Sequence, residues 1–240
     1  MKYTPRSAAA AKAPSARAAS AVKPTVKPKG SANRPLPGAV RIIGGLYKRS
    51  KISLPPSSTG SAASLRPTPD RVRETLFNWL GQDLTGWHCA DVFAGSGVLG
   101  FEAASRGAAS VWLTEQDPAL VERLKAVQTR LATKTVRIER GDGVSALRRA
   151  TPGSLSLVFL DPPYDAPAHV LPAALEAAAL AIAPTGLVYL EAPVAWDDTA
   201  LAPLGLKILR CAKAGNVHFH LLNARSGAAV SGDDAEPSPP

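Results

Sequence analysis

Asp161-Pro162-Pro163-Tyr164 follows the apolar run Leu155–Leu160, and together these residues could grip a flat amine. The run has the β-branched and aromatic character of a buried strand, and two prolines, which cannot donate to a sheet ladder, end it. Pro162 also steers Asp161 away from the α region. A carboxylate, the Pro162 carbonyl and the Tyr164 ring are thereby gathered at the carboxyl end of a strand. The first two can each accept one N–H of an exocyclic amino group, and the tyrosine can stack on the ring that carries it. An acidic turn would look the same in isolation, so the surrounding sequence has to decide.

Asp91-Val92-Phe93-Ala94-Gly95-Ser96-Gly97-Val98-Leu99-Gly100 supplies a second constellation. Glycines between a strand and a helix let the backbone approach a ligand, and the helix start adds unpaired N–H groups. A lone G-x-G is weak, but three acids raise its weight. Asp91 ahead of the glycines suits an ammonium or sulfonium better than a diphosphate. Glu115, about 20 residues on, can accept the two hydroxyls of an adenosine ribose. Asp142, in Gly141-Asp142, can take an adenine amino group. Asp117, followed by Pro118, reads as a plain helix cap. With Asp161, four consecutive strands end in an acid at one edge of a sheet, which fits a nucleoside-bearing cation.

Elements that would position these residues follow from periodicity. Strands are expected at His88–Phe93, Ser110–Thr114, Thr135–Arg140, Leu155–Leu160 and Gly186–Glu191. Helices are expected at Val98–Arg106, Pro118–Ala132, Val144–Arg149 and Pro167–Ile182. That alternation predicts an α/β fold with a mostly parallel sheet and helices on both faces. Leu206–Cys211 and Val217–Asn223 break the rhythm and read as an antiparallel edge hairpin, making seven strands. Upstream, Thr68-Pro69-Asp70 predicts a helix with Thr68 as N-cap and Pro69 at its first position. Val72, Leu76, Trp79 and Leu80 would be its buried stripe. Arg71 and Arg73 flank the stripe as solvated charges or phosphate contacts. Val40–Gly45 and Leu46–Ile52 predict a small basic hairpin.

Composition separates the ends from the body. Residues 1–66 hold 13 of the 28 Lys+Arg and none of the 19 Asp+Glu, within a net charge of +9. A basic third on a mildly acidic body suggests an arm for a polyanion, most simply nucleic acid. The expected organisation is a low-complexity, disordered basic tail over 1–38, a hairpin arm with a Pro/Ser/Gly loop over 39–64, a main domain over 65–225 and a polar tail over 226–240. Repeated prolines in the tail count against the amphipathic helix of an organelle transit peptide. Cys89 and Cys211 lie in apolar runs and read as buried hydrophobes of a reducing cytoplasm. No membrane-length apolar stretch occurs, and the four histidines show no metal-ligand spacing.

Asp91-x-Phe93-Ala94-Gly95-Ser96-Gly97, Glu115, Asp142 and Asp161-Pro162-Pro163-Tyr164 resemble the Rossmann-like class I S-adenosylmethionine-dependent methyltransferases that act on exocyclic amines. Arg41-Ile42-Ile43-Gly44-Gly45 with Leu65–Leu80 resembles, more narrowly, the RsmD-type enzymes that methylate guanine N2 in bacterial 16S ribosomal RNA. The resemblance covers roughly 40–224. It implies Asp91, Phe93, Gly95, Ser96 and Gly97 at the methionine half of the donor, Glu115 on ribose and Asp142 on adenine. It also implies Asp161, Pro162, Pro163 and Tyr164 at the reacting amine, with no metal. Arg41, Lys48, Arg49, Lys51, Arg66, Arg71 and Arg73 would hold RNA, in an assembling small subunit, for a cytoplasmic monomer. The long basic leader, the Pro55–Ser64 loop and the acidic carboxyl tail depart from that pattern. DNA adenine-N6 and protein-glutamine methyltransferases use related pockets, and a non-catalytic RNA-binding module is the reading from another class.

Overall fold

The computed structural model describes residues 38–54, 68–163 and 165–225. The expectations for the two tails, the Pro55–Ser64 loop, Arg66 and Tyr164 lie outside the described residues.

Alternation of apolar strands with amphipathic helices builds the expected parallel sheet. In chain order its strands are β3 (His88–Asp91), β4 (Ser110–Glu115), β5 (Val136–Arg140), β6 (Leu155–Leu160), β7 (Ile182–Ala192), β8 (Leu206–Ala214) and β9 (Val217–Ala224). Their spatial order is β5-β4-β3-β6-β7-β9-β8. The first five run parallel, whereas β9 pairs antiparallel with both β7 and β8. Strand order therefore reverses at the β3/β6 pair, the place where open α/β sheets bind ligands at their carboxyl ends. β7 starts at Ile182, four residues before the expected Gly186, because Leu155 of β6 pairs with Ile182 across a bulge.

Side-chain alternation divides the core into two layers. Cys89, Leu113, Leu157, Phe159, Tyr189 and Phe219 bury one face under α1 (Asp70–Trp79) and α2 (Val98–Ser105). Ala90, Val158, Leu160, Val188 and Leu190 bury the other under α4 (Gly143–Arg149) and α5 (Val170–Ala181). A fully buried ring such as Phe77 or Phe159 stabilises by about 1.5–3 kcal/mol. Between β4 and β5, α3 (Pro118–Leu131) is capped by Asp117 as expected, its side chain accepting from Ala119 and Leu120 N–H. A short α6 (Asp198–Leu201) links β7 to β8.

Three local expectations need correction. Thr68 does not cap α1: Pro69 holds that position, and the Thr68 hydroxyl donates 2.9 Å to Glu191. The second hairpin strand is not Leu46–Ile52. β1 (Ala39–Arg41) pairs with β2 (Lys51–Ser53), with Val40 opposite Ile52, while 42–50 form a turn. The reason lies far along the chain: the Leu46 and Tyr47 N–H groups bind the Ser105 carbonyl (2.7 Å) and hydroxyl (2.8 Å), so they cannot serve a ladder. Finally, Cys89 is buried but Cys211 is exposed, since it lies on the edge strand β8.

Candidate active site

The sheet's carboxyl edge gathers the acids read from the sequence. Asp161 follows β6 at once and is partly exposed, with Pro162 and Pro163 directly after it; the Pro163 carbonyl accepts from Ala166 N–H at 2.9 Å. Burial, then the neighbouring carboxylates of Glu191 and Asp91, hold its carboxyl well above the usual range. Asp91 ends β3 on the adjacent strand and is almost fully buried. Burial raises its carboxyl to about 7 against the opposing bond from Gly100 N–H, with the charges of Glu115 and Glu191 adding to the rise. A buried carboxyl in this state gains most from a cation brought beside it.

From Asp91 the chain enters the glycine turn. Gly97 caps α2 at φ 75°, a conformation L side chains rarely adopt, and a Cβ there would overlap Phe101 and Leu124. Glu115 ends β4 and braces the turn, its carboxylate accepting from Gly95 N–H (2.8 Å) and Asp117 N–H (2.9 Å). Asp142 caps α4 through Ser145 N–H (2.7 Å) and takes the Gln116 amide at 3.1 Å. Desolvation raises its carboxyl, but these bonds outweigh it and hold it below the usual range. Asp91, the glycine turn, Glu115 and Asp142 thus line one edge in the order of their strands, a donor set that fits a cation carrying a ribose and a base.

Two residues that the sequence reading did not assign to the site belong to this neighbourhood. Glu191, on β7, is buried and accepts from the Thr68 and Tyr189 hydroxyls, each at 2.9 Å. The signal was available: Glu191 closes the apolar run Leu187–Leu190 as Asp161 closes Leu155–Leu160. Thr68 is 3% exposed and carries the start of α1 to the same spot.

Of the expected RNA contacts, Lys48, Arg49, Lys51 and Arg71 are exposed and Arg41 is partly so. Arg73 is not among them. Its guanidinium is fully buried between Glu102 (3.1 Å), Asp70 (2.6 Å), the Arg41 carbonyl (2.9 Å) and the Thr68 carbonyl (3.2 Å). Glu102 in turn pairs with Arg106 and accepts from Ile43 and Gly44 N–H at 2.9 and 2.8 Å. Arg73 therefore anchors the arm to α1 and α2.

A sheet of this order, with an acid-rimmed glycine turn at its reversal point, defines the Rossmann-like methyltransferase fold. A solved structure from Escherichia coli described as a proposed methyltransferase, yhhF, is 31% identical with a TM-score of 0.64, covering 78% of this chain and 98% of that one. A proposed methylase of Haemophilus influenzae, HI0767, is 29% identical with a TM-score of 0.61, covering 78% and 99%. Residues 40–223 match the family described as Conserved hypothetical protein 95. The ribosomal RNA small subunit methyltransferase D of H. influenzae is 34% identical over 77% of this chain and 93% of that protein. That of E. coli K12 is 43% identical over 53% of this chain, and the match spans 61% of its length. The chain belongs to this family, that of the ribosomal RNA small subunit methyltransferase D proteins.

Proposed function

We propose that the chain transfers a methyl group from S-adenosylmethionine to the exocyclic N2 of a guanine in 16S ribosomal RNA. The observation that carries the reading is the position of Asp161: it directly follows β6, one strand from Asp91 and the glycine turn, with Pro162 beside it. The names of the relatives favour ribosomal RNA over DNA or protein-glutamine as substrate.

The bound donor supplies a methyl carbon made electrophilic by its sulfonium. On this reading Asp91, Phe93, Gly95, Ser96 and Gly97 hold its methionine half, Glu115 its ribose and Asp142 its adenine. Guanine N2 is a poor nucleophile, since its lone pair is delocalised into the ring. Asp161 and the Pro162 carbonyl each accept an N–H, which aligns the nitrogen and favours the positive charge that develops on it. Asp161 then takes the proton the nitrogen sheds. Pro163 stiffens the turn, and Tyr164 stacks on a base swung out of the RNA. Lys48, Arg49, Lys51, Arg66 and Arg71, with Arg41, contact phosphates and position the RNA without reading its sequence. The partner is 16S ribosomal RNA in an assembling small subunit, and the protein works as a cytoplasmic monomer.

The test is methyl transfer to ribosomal RNA and to partly assembled small subunits from cells lacking the enzyme, with mapping of the modified nucleotide. Asp161→Ala is expected to lose transfer by at least about a thousandfold while keeping donor binding by calorimetry. Methylation of adenine, or wild-type turnover by the variant, would overturn the assignment.

A further inference from the structure

Glu191 has no part in the mechanism above, and its surroundings give it one. Leu160 of β6 pairs with Leu190 of β7, so the next residue on each strand, Asp161 and Glu191, share the sheet face that holds Phe159 and Tyr189. One Glu191 oxygen, Oε1, accepts from both the Thr68 and Tyr189 hydroxyls. Burial raises the Glu191 carboxyl above its usual range, and these two bonds oppose that rise and favour the ionised form. The groups that face Asp161 are Glu191 and Tyr189 from β7, Asp91 from β3 and Thr68 from the segment before α1. Burial first, then the charges of Glu191 and Asp91, act to keep Asp161 protonated, against the Thr68 hydroxyl, which favours its carboxylate. Two neighbouring carboxylates resist ionising together, and Glu191, which is buried and accepts from two hydroxyls, is the one that keeps the charge.

We propose that Glu191 is a positioning residue: its charge keeps a proton on Asp161 in the free protein, and Asp161 gives that proton up when a positive charge is bound beside it. The inference rests on the S-adenosylmethionine reading of the site. While protonated, Asp161 carries an O–H where the amine needs an acceptor. With a sulfonium in the pocket the carboxylate forms, and the guanine amine can bind. Amine recognition therefore follows donor binding.

Transfer reverses the switch. The N2–C bond forms as the C–S bond breaks, and the electron pair of the broken bond stays on sulfur, which becomes neutral. The proton shed by N2 moves to Asp161. Asp161 is then neutral beside a charged Glu191, as at the start, and its grip on the methylated amine is gone.

The test uses the full chain without RNA. Binding of S-adenosylmethionine and of S-adenosylhomocysteine is titrated calorimetrically near pH 7 in buffers of different ionisation enthalpy, which counts protons released. The two ligands differ by the methyl group and its charge. The wild type should release more protons with S-adenosylmethionine, and the ¹³C carboxyl resonances of Asp161 and Asp91, followed with each ligand, should show Asp161 as a source of the excess. In Glu191→Gln, which keeps an acceptor for Thr68 without the charge, that difference should fall by half or more. The ¹³C carboxyl resonance of Asp161 should also titrate about one pH unit lower, the size of a neighbouring like charge. Equal release with both ligands in the wild type overturns the inference, and this arm stands even where the variant does not fold. An unchanged difference in a folded Glu191→Gln overturns it as well. Absence of any S-adenosylmethionine binding sinks the donor reading itself, so the two failures are told apart.

Discussion

Asp91, 2% exposed and with its carboxyl raised to about 7, works against the fold above neutral pH. In the unfolded chain it ionises near 3.8. Between these values only the folded state keeps the proton, so this residue's contribution to stability falls as pH rises from about 4 to about 7. The cost above that window is on the order of a few kcal/mol. Asp91→Asn removes it. The variant should melt several degrees above the wild type at pH 8, match it more closely at pH 5, and bind S-adenosylmethionine at least about tenfold more weakly. Scanning calorimetry at both pH values, with a binding titration, checks all three. The positions of Asp91, Glu115 and Asp161 were legible because each closes an apolar run, and that of Asp142 because Gly141 breaks the alternating strand before it. Arg73 was misread for a physical reason: its partner Glu102 lies 29 residues away, and no local pattern distinguishes a charge on a wet helix face from one aimed at a buried carboxylate.

At the scale of elements, helix and strand alternation was readable because a sheet covered on both faces needs continuous apolar strands. The arm was read as a hairpin with the wrong strand bounds, because the Leu46 and Tyr47 N–H groups in its middle are satisfied by Ser105 of α2 and not by a ladder. Gly45 shows how tight that joint is. It sits at φ 72°, and a Cβ would fall on the Ser105 carbonyl; Gly86, at φ 84°, has open space around it. Gly86→Ala should cost about 1 kcal/mol from backbone strain alone. Gly45→Ala should cost at least about 2–3 kcal/mol, since backbone must also move. Urea denaturation of the two variants side by side measures the difference, and equal losses would mean that the joint is loose.

Across the whole molecule, charge is segregated: residues 1–66 carry no acid, while the remainder carries more acids than bases. Positive potential is thereby concentrated on the amino-terminal side, where Lys48, Arg49 and Lys51 lie exposed on and beside β2. Neutralising these three to Gln should weaken RNA binding and lower the slope of log affinity against log salt by about 2. Filter binding across a salt series checks this, with S-adenosylmethionine affinity as the control for folding. That arm is sewn to α2 at Glu102 and Ser105, while the opposite end of α2 begins at the glycine turn. Eight residues thus serve two masters. A chimaera that exchanged residues 39–54 alone for a foreign RNA module would strand the Glu102 carboxylate without the amides of Ile43 and Gly44, so a workable transplant must carry the Glu102–Ser105 end of α2 along with it.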